Sequence, residues 1–244
     1  MMINFKDIFE SRETVLAWYD QMHGDVSESY PLGVHLDSIA DLPKRVAVDL
    51  GANVGMFSRI AAHDYEEVHA FEPSQFLSSI MCYNQHHAES HDNIYIHKLA
   101  ATKRTGDIIT LYRAKDLSPG DCTIIPPEEH QILQSENCLT IALEDIFTLI
   151  GHDYIDYMKI DIEGSEYDFL LDKDLSNIAM IAMEIHGPDQ QLKDKLYAHL
   201  GKYMHVWKYL EDLVLCVNKK YEYKTEPHGY YIEEDASRPL DKLY

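Results

Sequence analysis

Two glycines and a glutamate are spaced as in a nucleotide-binding site. Gly51 and Gly55 follow the hydrophobic run VAVDL at positions 46–50, and Glu72 follows a second hydrophobic run, 21 residues after Gly51. In open α/β sheets a glycine turn after the first strand contacts the ligand, and a carboxylate about 20 residues further on binds the ribose hydroxyls. The sequence therefore predicts an adenosine-binding site that includes Gly51, Gly55 and Glu72.

The spacing inside the glycine turn narrows the choice of ligand. The turn reads G-x-x-x-G from Gly51 to Gly55, which is neither the dinucleotide pattern G-x-G-x-x-G nor the phosphate-loop pattern with its lysine. A cofactor without a diphosphate is favoured, and Asp49 would place a negative charge near a cationic or amino-acid part of it. S-adenosylmethionine fits this description. The alternative is that the glycines only permit close packing of strand and helix, with Glu72 in solvent.

Charged residues also lie at the ends of two later predicted strands. Lys159, Asp161 and Glu163 alternate along one segment, and Glu184 and His186 alternate along another. Alternate residues of a strand share a face, and the carboxyl ends of parallel strands border the crevice where open α/β sheets bind ligands. Charges are costly to bury without a partner. The sequence therefore predicts catalytic groups here, among them Asp161, Glu184 and His186.

Three roles are open for this second group. His186 is a candidate general base because imidazole titrates near neutrality, and Asp161 is the other candidate. Alternatively, Asp161, Glu163 and Glu184 bind Mg²⁺, since oxygen ligands suit a hard cation that would acidify a hydroxyl group. A third interpretation makes His186 a core histidine that is hydrogen-bonded to the backbone.

Five segments of the chain form an ordered set of motifs: VDLGANVGMFS at 48–58, AFEPS at 70–74, Leu99-Ala100-Ala101, TIALEDI at 140–146 and, most specifically, MKIDIEGSEYDFL at 158–170. Together they resemble the FkbM-type S-adenosylmethionine-dependent methyltransferases. The resemblance spans about 46–187 in the correct order. It leaves out residues 1–40, the segment near 106–140 and the tail beyond 220, where we expect the choice of substrate to be determined.

The resemblance implies a class I methyltransferase fold and a set of site residues. Gly51, Asn53 and Gly55 would surround the methionine moiety, Glu72 would bind the ribose, and Asp161 with Glu163 would lie in the active-site cleft. Its motifs place further cofactor contacts at Asp49, Ala52, Met56, Phe57, Pro73, Ala100 and Asp161. Family members methylate hydroxyl oxygens, so the expected acceptor is a sugar or another small metabolite.

Hydrophobic periodicity indicates the elements that would position these residues. Strands and helices alternate from about residue 45, with strands at VAVDL, VHAFEP, NIYIHKLAA, YMKIDIEG and IAMIAMEIHG. Strands separated by helices pair in parallel, whereas VWKYLED and LVLCVNKK, joined by a short turn, would be antiparallel. The predicted fold class is α/β: an open, mostly parallel, Rossmann-like sheet with helices on both faces and a C-terminal antiparallel strand.

The chain divides into three predicted regions. Residues 1–40 contain an amphipathic helix, with apolar residues at helical spacing between Phe5 and Met22, and a connecting loop. Residues 41–220 form the cofactor-binding domain, with an inserted hairpin or rim loop at about 106–140. Residues 221–244 form a polar C-terminal extension.

Composition disfavours several classes of partner. The chain has 21 Lys and Arg against 42 Asp and Glu, a net charge of −21, which repels nucleic acid and anionic membranes. No run of about 18 apolar residues and no signal-peptide pattern is present, so we expect a cytoplasmic protein. The four cysteines contain no CxxC pair and are expected to be reduced. The oligomeric state is left open.

Two other functions compete with methyl transfer. A nicotinamide-dependent oxidoreductase uses a similar sheet, but the third glycine of its fingerprint is missing. A non-catalytic interaction protein would keep the fold and lose the site, whereas Gly51, Gly55, Glu72 and Asp161 are all present.

Overall fold

The computed structural model describes residues 42–87, 91–114, 122–124, 126, 128, 131–187, 189–208, 213–221 and 230–232. These residues belong to one compact unit. The helix predicted between Phe5 and Met22, with the rest of the N-terminal segment, lies outside the described residues, as does most of the C-terminal extension.

Strands and helices alternate over much of the described chain, as the periodicity predicts, and two runs of consecutive strands interrupt this alternation. In order they are β1 (Val46–Leu50), α1 (Met56–Ala61), β2 (Glu67–Phe71), α2 (Gln75–His87), β3 (Ile94–His97), β4 (Ala100–Ala101), β5 (Ile108–Ala114), β6 (Ile132–Ile141), α3 (Leu143–Ile150), β7 (Tyr157–Ile160), α4 (Glu166–Leu170), β8 (Met180–Glu184), α5 (Gln190–Tyr203), β9 (Met204–Lys208), β10 (Leu213–Asn218) and β11 (Tyr230–Ile232).

Within the described residues, eight strands form one sheet in the order β11-β9-β10-β8-β7-β1-β2-β3. Five neighbouring strands of this sheet, β8, β7, β1, β2 and β3, pair in parallel. β10 runs antiparallel to both β8 and β9, and β11, from the predicted C-terminal extension, pairs antiparallel with β9. The predicted fold class, including its C-terminal antiparallel strand, is confirmed.

The central strands β1 and β7 are buried, and the strand order reverses between them. β1 and β7 are buried along their whole length, and their apolar side chains pack with those of β8, α3 and α4 in the main core. Strand order reverses between β1 and β7, because β2 follows β1 on one side and β8 follows β7 on the other. Ligands bind at such reversals, outside the carboxyl ends of the strands.

A smaller sheet accounts for the predicted insert. β5 and β6 form an antiparallel pair, and β4 adds in parallel to β6. The segment NIYIHKLAA, predicted as one strand, is instead split between the two sheets. The amides of Glu72 and Leu99 both donate to the carbonyl of His97, each at 3.0 Å, and this turn directs Ala100 away from the large sheet.

Helix ends follow local chemistry. α3 has Glu144 and Asp145 in its first turn and ends at Gly151, which has a φ of 74°; acids at the amino end and glycine at the carboxyl end are both favoured there. Asp189 caps α5 by accepting hydrogen bonds from the amides of Gln191 and Leu192.

No helix in the described ranges is long and apolar enough to cross a membrane.

Candidate active site

The glycine turn lies between the carboxyl ends of β1 and β7. Gly51 has a φ of +72°, and a Cβ atom there would lie 1.7 Å from the carbonyl oxygen of Asp161. No side chain fits into that space. The amides of Gly51 and Ala52 also donate to the carbonyl of Phe71, at 3.0 and 3.1 Å. The turn is therefore held against the tip of β7 on one side and the end of β2 on the other.

Glu72 is a buried carboxylate that faces this turn. Its residue is only 4% exposed. Its Oε2 accepts from the amide of Asn53 and its Oε1 from the amide of Ser74, both at 2.8 Å. Burial raises the pKa of Glu72 to about 7, although the two backbone hydrogen bonds oppose the rise. Each carboxylate oxygen has a second lone pair, so Glu72 can also accept hydrogen bonds from a diol.

A cleft of about 610 Å³, open to solvent, lies next to the turn and Glu72. Six of the predicted cofactor residues line it: Gly51, Asn53, Glu72, Pro73, Ala100 and Asp161. Its other lining residues are mostly apolar, among them Phe71, Leu77, Leu99, Leu111, Ile124 and Ile162. The cleft thus combines a few polar groups with apolar walls, which is typical of cofactor sites.

The remaining predicted cofactor residues do not line the cleft; they are Asp49, Ala52, Gly55, Met56 and Phe57. Asp49 is fully buried, and its Oδ2 accepts a hydrogen bond from the hydroxyl of Ser58 at 2.6 Å. The ring of Phe57 stacks on Tyr157, with centroids 5.5 Å apart. Asp49 and Phe57 therefore support the turn from within the fold.

Lys159 connects the glycine turn with the tip of β7. Its Nζ donates to the carbonyl oxygen of Gly51 at 2.8 Å. The same atom lies 3.4 Å from Oδ1 of Asp49 and 3.5 Å from Oδ2 of Asp161. The sequence places Lys159 at the end of a strand. It does not indicate that the ammonium group of Lys159 lies beside the buried carboxyl group of Asp49. Lys159 is therefore a positioning residue.

His186 lies among carboxylates beyond the tip of β8. Its Nδ1 is 3.0 Å from Oε1 of Glu166, and its Nε2 is 3.6 Å from both Oε2 of Glu163 and Oε1 of Glu184. Burial by itself lowers the pKa of His186, but the hydrogen bond to Glu166 and the charges of Glu163 and Asp161 together raise it to about 9. His186 is therefore an imidazolium at neutral pH.

Glu166 is a residue of this group that sequence reasoning did not assign to the site. It is fully buried at the start of α4. Besides holding His186, its carboxylate accepts from the amides of Ile162 at 3.3 Å and Gly164 at 3.1 Å. It thereby fixes the loop in which Glu163 has a φ of 51°. An acidic residue in the first turn of a helix is ordinarily explained by the helix dipole. The sequence therefore does not reveal that Glu166 binds His186 and the loop of Glu163.

The predicted Mg²⁺ site does not match the donor set. The ligand atoms that converge within 4.8 Å belong to Asp161, Glu163 and His186, and the carboxylate of Glu184 lies 3.6 Å from Nε2 of the same imidazole. Mg²⁺ prefers an all-oxygen set of ligands in a near-octahedral arrangement, whereas one of the three converging donors is an imidazole nitrogen. We assign no step to a metal here. His186 is also not the backbone-bonded core histidine of the third interpretation, since Glu166 is its hydrogen-bond partner.

The insert contributes one wall of the cleft. Leu111 comes from β5, and Cys122 and Ile124 come from the segment after it. The backbone of Thr123 pairs with that of Tyr112, and its hydroxyl donates to the carbonyl of Glu163 at 3.4 Å. The insert therefore contacts both the cleft and the loop that carries Glu163.

Family comparison agrees with this geometry. Residues 49–214 match the family described as the methyltransferase FkbM domain. The match covers more than half of the chain and includes the glycine turn, Glu72 and the tips of β7 and β8. The chain therefore belongs to the FkbM methyltransferase family, as its motifs predict. No curated protein sequence matches it.

Several solved structures are similar in fold. A methyltransferase FkbM from Methylobacillus flagellatus KT is 18% identical over 72% of this chain and 43% of its own, with a TM-score of 0.45; this chain thus spans less than half of that protein. TrmK of M. capricolum, in complex with S-adenosylhomocysteine, is 14% identical over 79% of this chain and 71% of its own, with a TM-score of 0.40. An rRNA methylase from Streptococcus thermophilus is 11% identical over 78% and 98%, respectively, with a TM-score of 0.45.

Proposed function

We propose that this protein transfers a methyl group from S-adenosylmethionine to a hydroxyl oxygen of a sugar or another small metabolite. The observation that carries the proposal is one cleft lined by Gly51, Glu72 and Asp161 at the reversal of strand order. Membership of the FkbM methyltransferase family supports methyl transfer. The net charge of −21 favours a small-molecule or carbohydrate acceptor over nucleic acid.

The cleft offers a complementary group for each part of the cofactor. Its lining combines a few polar groups with mostly apolar side chains, as small-molecule sites do. The ribose hydroxyls would donate to Glu72, and the adenine ring would lie against apolar side chains such as Leu99 and Leu111. The sulfonium would lie toward Asp161, where a carboxylate attracts its positive charge.

Methyl transfer needs positioning and the removal of one proton. The acceptor oxygen attacks the methyl carbon in line, the carbon–sulfur bond breaks, and its electron pair stays on sulfur to give S-adenosylhomocysteine. The hydroxyl proton must pass to a base. Of the two candidates, Asp161 lines the cleft, whereas His186 already holds its proton because its pKa is raised to about 9. We therefore assign the base to Asp161.

His186 has a different role in this proposal. Its imidazolium lies within 3.6 Å of both Glu163 and Glu184 and offsets their mutual repulsion beside the cleft. Glu163 lines the cleft and would accept hydrogen bonds from further hydroxyl groups of the acceptor. A polyhydroxylated acceptor such as a sugar suits such a set of acceptor groups.

The test follows the methyl group. The full-length protein is incubated with S-adenosylmethionine labelled with ¹³C in its methyl group and a panel of sugars and hydroxylated metabolites. We expect a ¹³C signal from a methoxy group, and an N-methyl signal from an amine acceptor would contradict oxygen specificity. Asp161→Asn should lower turnover about 10²- to 10⁴-fold, the usual effect of losing a general base, with S-adenosylhomocysteine binding retained.

Asp168→Asn is the matched control, because Asp168 is an exposed acid on α4 outside the cleft. It should have wild-type turnover. If Asp161→Asn keeps full turnover, Asp161 is not the base. If the wild type binds S-adenosylhomocysteine but methylates no acceptor in a panel extended to amines, the proposal of oxygen methylation fails.

A further inference from the structure

We propose that Glu67, His69 and His152 form a Zn²⁺ site separate from the active-site cleft. Glu67 and His69 lie at the start and middle of β2, and His152 follows the end of α3. The cleft lies beyond the opposite end of β2, beside Glu72. A strand of five residues is roughly 16 Å long, so the two sites are distinct, and the zinc site does not depend on the proposed function.

The three ligand atoms already converge. Oε2 of Glu67 lies 3.2 Å from Nε2 of His69 and 3.1 Å from Nε2 of His152. All three atoms lie within 4.8 Å of one another. Zinc binds nitrogen and carboxylate oxygen at about 2.0–2.2 Å with tetrahedral angles, which places ligand atoms roughly 3.3 Å apart. The arrangement can therefore accept the ion with little movement.

A fourth residue orients one of the ligands. Nδ1 of His69 lies 3.1 Å from Nε2 of His97. With its hydrogen on Nδ1, His69 donates to His97 and leaves the lone pair of Nε2 facing Glu67. Metal-binding histidines usually donate their other ring hydrogen in this way.

The chemistry and exposure of the cluster favour zinc over the common hard cations. Two imidazoles and one carboxylate suit Zn²⁺, whereas Mg²⁺ and Ca²⁺ prefer all-oxygen sets. The side chain of His69 is buried, but those of Glu67 and His152 are 37% and 35% exposed. The ion can enter from solvent and keep water as its fourth ligand.

The site would link two parts of the fold. His152 lies directly after Gly151, where α3 ends, and the other two ligands belong to β2. Zinc would thus tie the connection between α3 and β7 to a strand on the other side of β1. We expect a structural effect, in which zinc raises the unfolding temperature because it binds only the folded chain.

The experiment is calorimetric titration of ZnCl₂ into the full-length, tag-free protein after treatment with a chelator, with MgCl₂ as the comparison ion. The expected result is one zinc equivalent bound with micromolar or tighter affinity, no comparable magnesium binding, and a higher unfolding temperature. His152→Ala and Glu67→Gln should each weaken zinc binding by about 10–100-fold or more, since even the loss of a ligand's hydrogen-bond partner has such effects.

His186→Gln is the matched control, because it disrupts the other cluster that could attract zinc and leaves this one intact. It should bind zinc like the wild type. Circular dichroism of both ligand variants checks that they are folded. Because the side chains of His152 and Glu67 are partly exposed, we expect both variants to fold, so that weaker zinc binding reports the loss of a ligand. The assignment is overturned if the folded wild type binds no zinc, if zinc binding survives His152→Ala, or if His186→Gln abolishes it.

Discussion

At the scale of single residues, the burial of Glu72 beside the cleft makes its negative charge unfavourable in the free protein. Its pKa is raised from 4.5 to about 7 because burial disfavours the charged form. Two backbone amides compensate in part. Ribose hydroxyls would add two further donors to the same carboxylate, so cofactor binding should favour the ionised form.

This linkage predicts a pH-dependent affinity. Between pH 6 and pH 8 the ionised fraction of Glu72 rises through its pKa of about 7. The affinity for S-adenosylhomocysteine should therefore increase about tenfold, since each pH unit below the pKa lowers the ionised fraction about tenfold. Titrations at the two pH values measure this. Glu72→Gln should bind more weakly and without that change; an unaltered pH dependence in this variant would assign it to another group.

Residue spacing could predict that Glu72 lies beside the glycine turn, but not the protonation state of His186. Glu72 is recognisable because strand, turn and helix lengths fix its distance along the chain from Gly51. The proton on His186 depends on Glu166, a buried partner 20 residues earlier along the chain, which the fold brings within hydrogen-bond distance. The sequence pattern predicted that a histidine follows the end of β8. The charge of His186 could be inferred only from the three-dimensional arrangement of its neighbours.

At the scale of elements, the contact between the glycine turn and the tip of β7 determines the geometry of the cleft. Gly51 touches the backbone of Asp161 so closely that a methyl group has no space. Lys159 adds a hydrogen bond from β7 to the carbonyl of Gly51. The turn and the proposed base are thus held by the same two strands.

Gly51→Ala should consequently destabilise the fold. The added Cβ would overlap a backbone carbonyl and would also require a left-handed conformation, and overpacking and such backbone strain each cost about 1–3 kcal/mol. Urea unfolding should show a loss of about 2–6 kcal/mol, the sum of the two effects. Gly106→Ala is the matched control, because Gly106 has a φ of +82° with nothing within 4 Å of the added atom. Equal losses in the two variants would argue against the close contact.

Elements themselves were predictable to different degrees. Alternating strands and helices follow from hydrophobic periodicity, so the parallel sheet and the C-terminal antiparallel pair were expected, whereas the insert was predicted only as a hairpin or a rim loop. The split of NIYIHKLAA into β3 and β4 was not, because both halves have strand-like residues and only the turn at His97 separates them. Likewise, nothing in the polar sequence after residue 220 indicates that Tyr230–Ile232 pairs with β9.

At the scale of the whole molecule, raised pKa values make stability depend on pH. The pKa of His186 is about 9 against an ordinary 6.5, so the folded state retains a proton that the unfolded state loses. This contribution is complete below pH 6.5 and disappears as the pH rises through 9. The raised pKa of Glu72 acts in the same direction up to about pH 7, and the net charge of −21 adds general repulsion as the pH rises.

We therefore expect the free energy of unfolding to fall between pH 6.5 and pH 8. His186 alone should account for about 2 kcal/mol of this decrease, since each unit of pKa difference is worth about 1.4 kcal/mol. Urea unfolding at both pH values measures the decrease. His186→Gln should lose less stability over this interval than the wild type. If both proteins lose the same amount, His186 does not carry the excess proton.

The most direct test of the central claim is calorimetric titration of the full-length protein with S-adenosylhomocysteine, beside Glu72→Ala and with NAD as a control ligand. We predict micromolar binding of S-adenosylhomocysteine, no binding of NAD, and a loss of about 1–3 kcal/mol in Glu72→Ala, the usual cost of removing a buried hydrogen-bond partner. A folded wild type that binds no S-adenosylhomocysteine, or a Glu72→Ala variant that binds it equally well, would contradict the assignment of this cleft as the cofactor site.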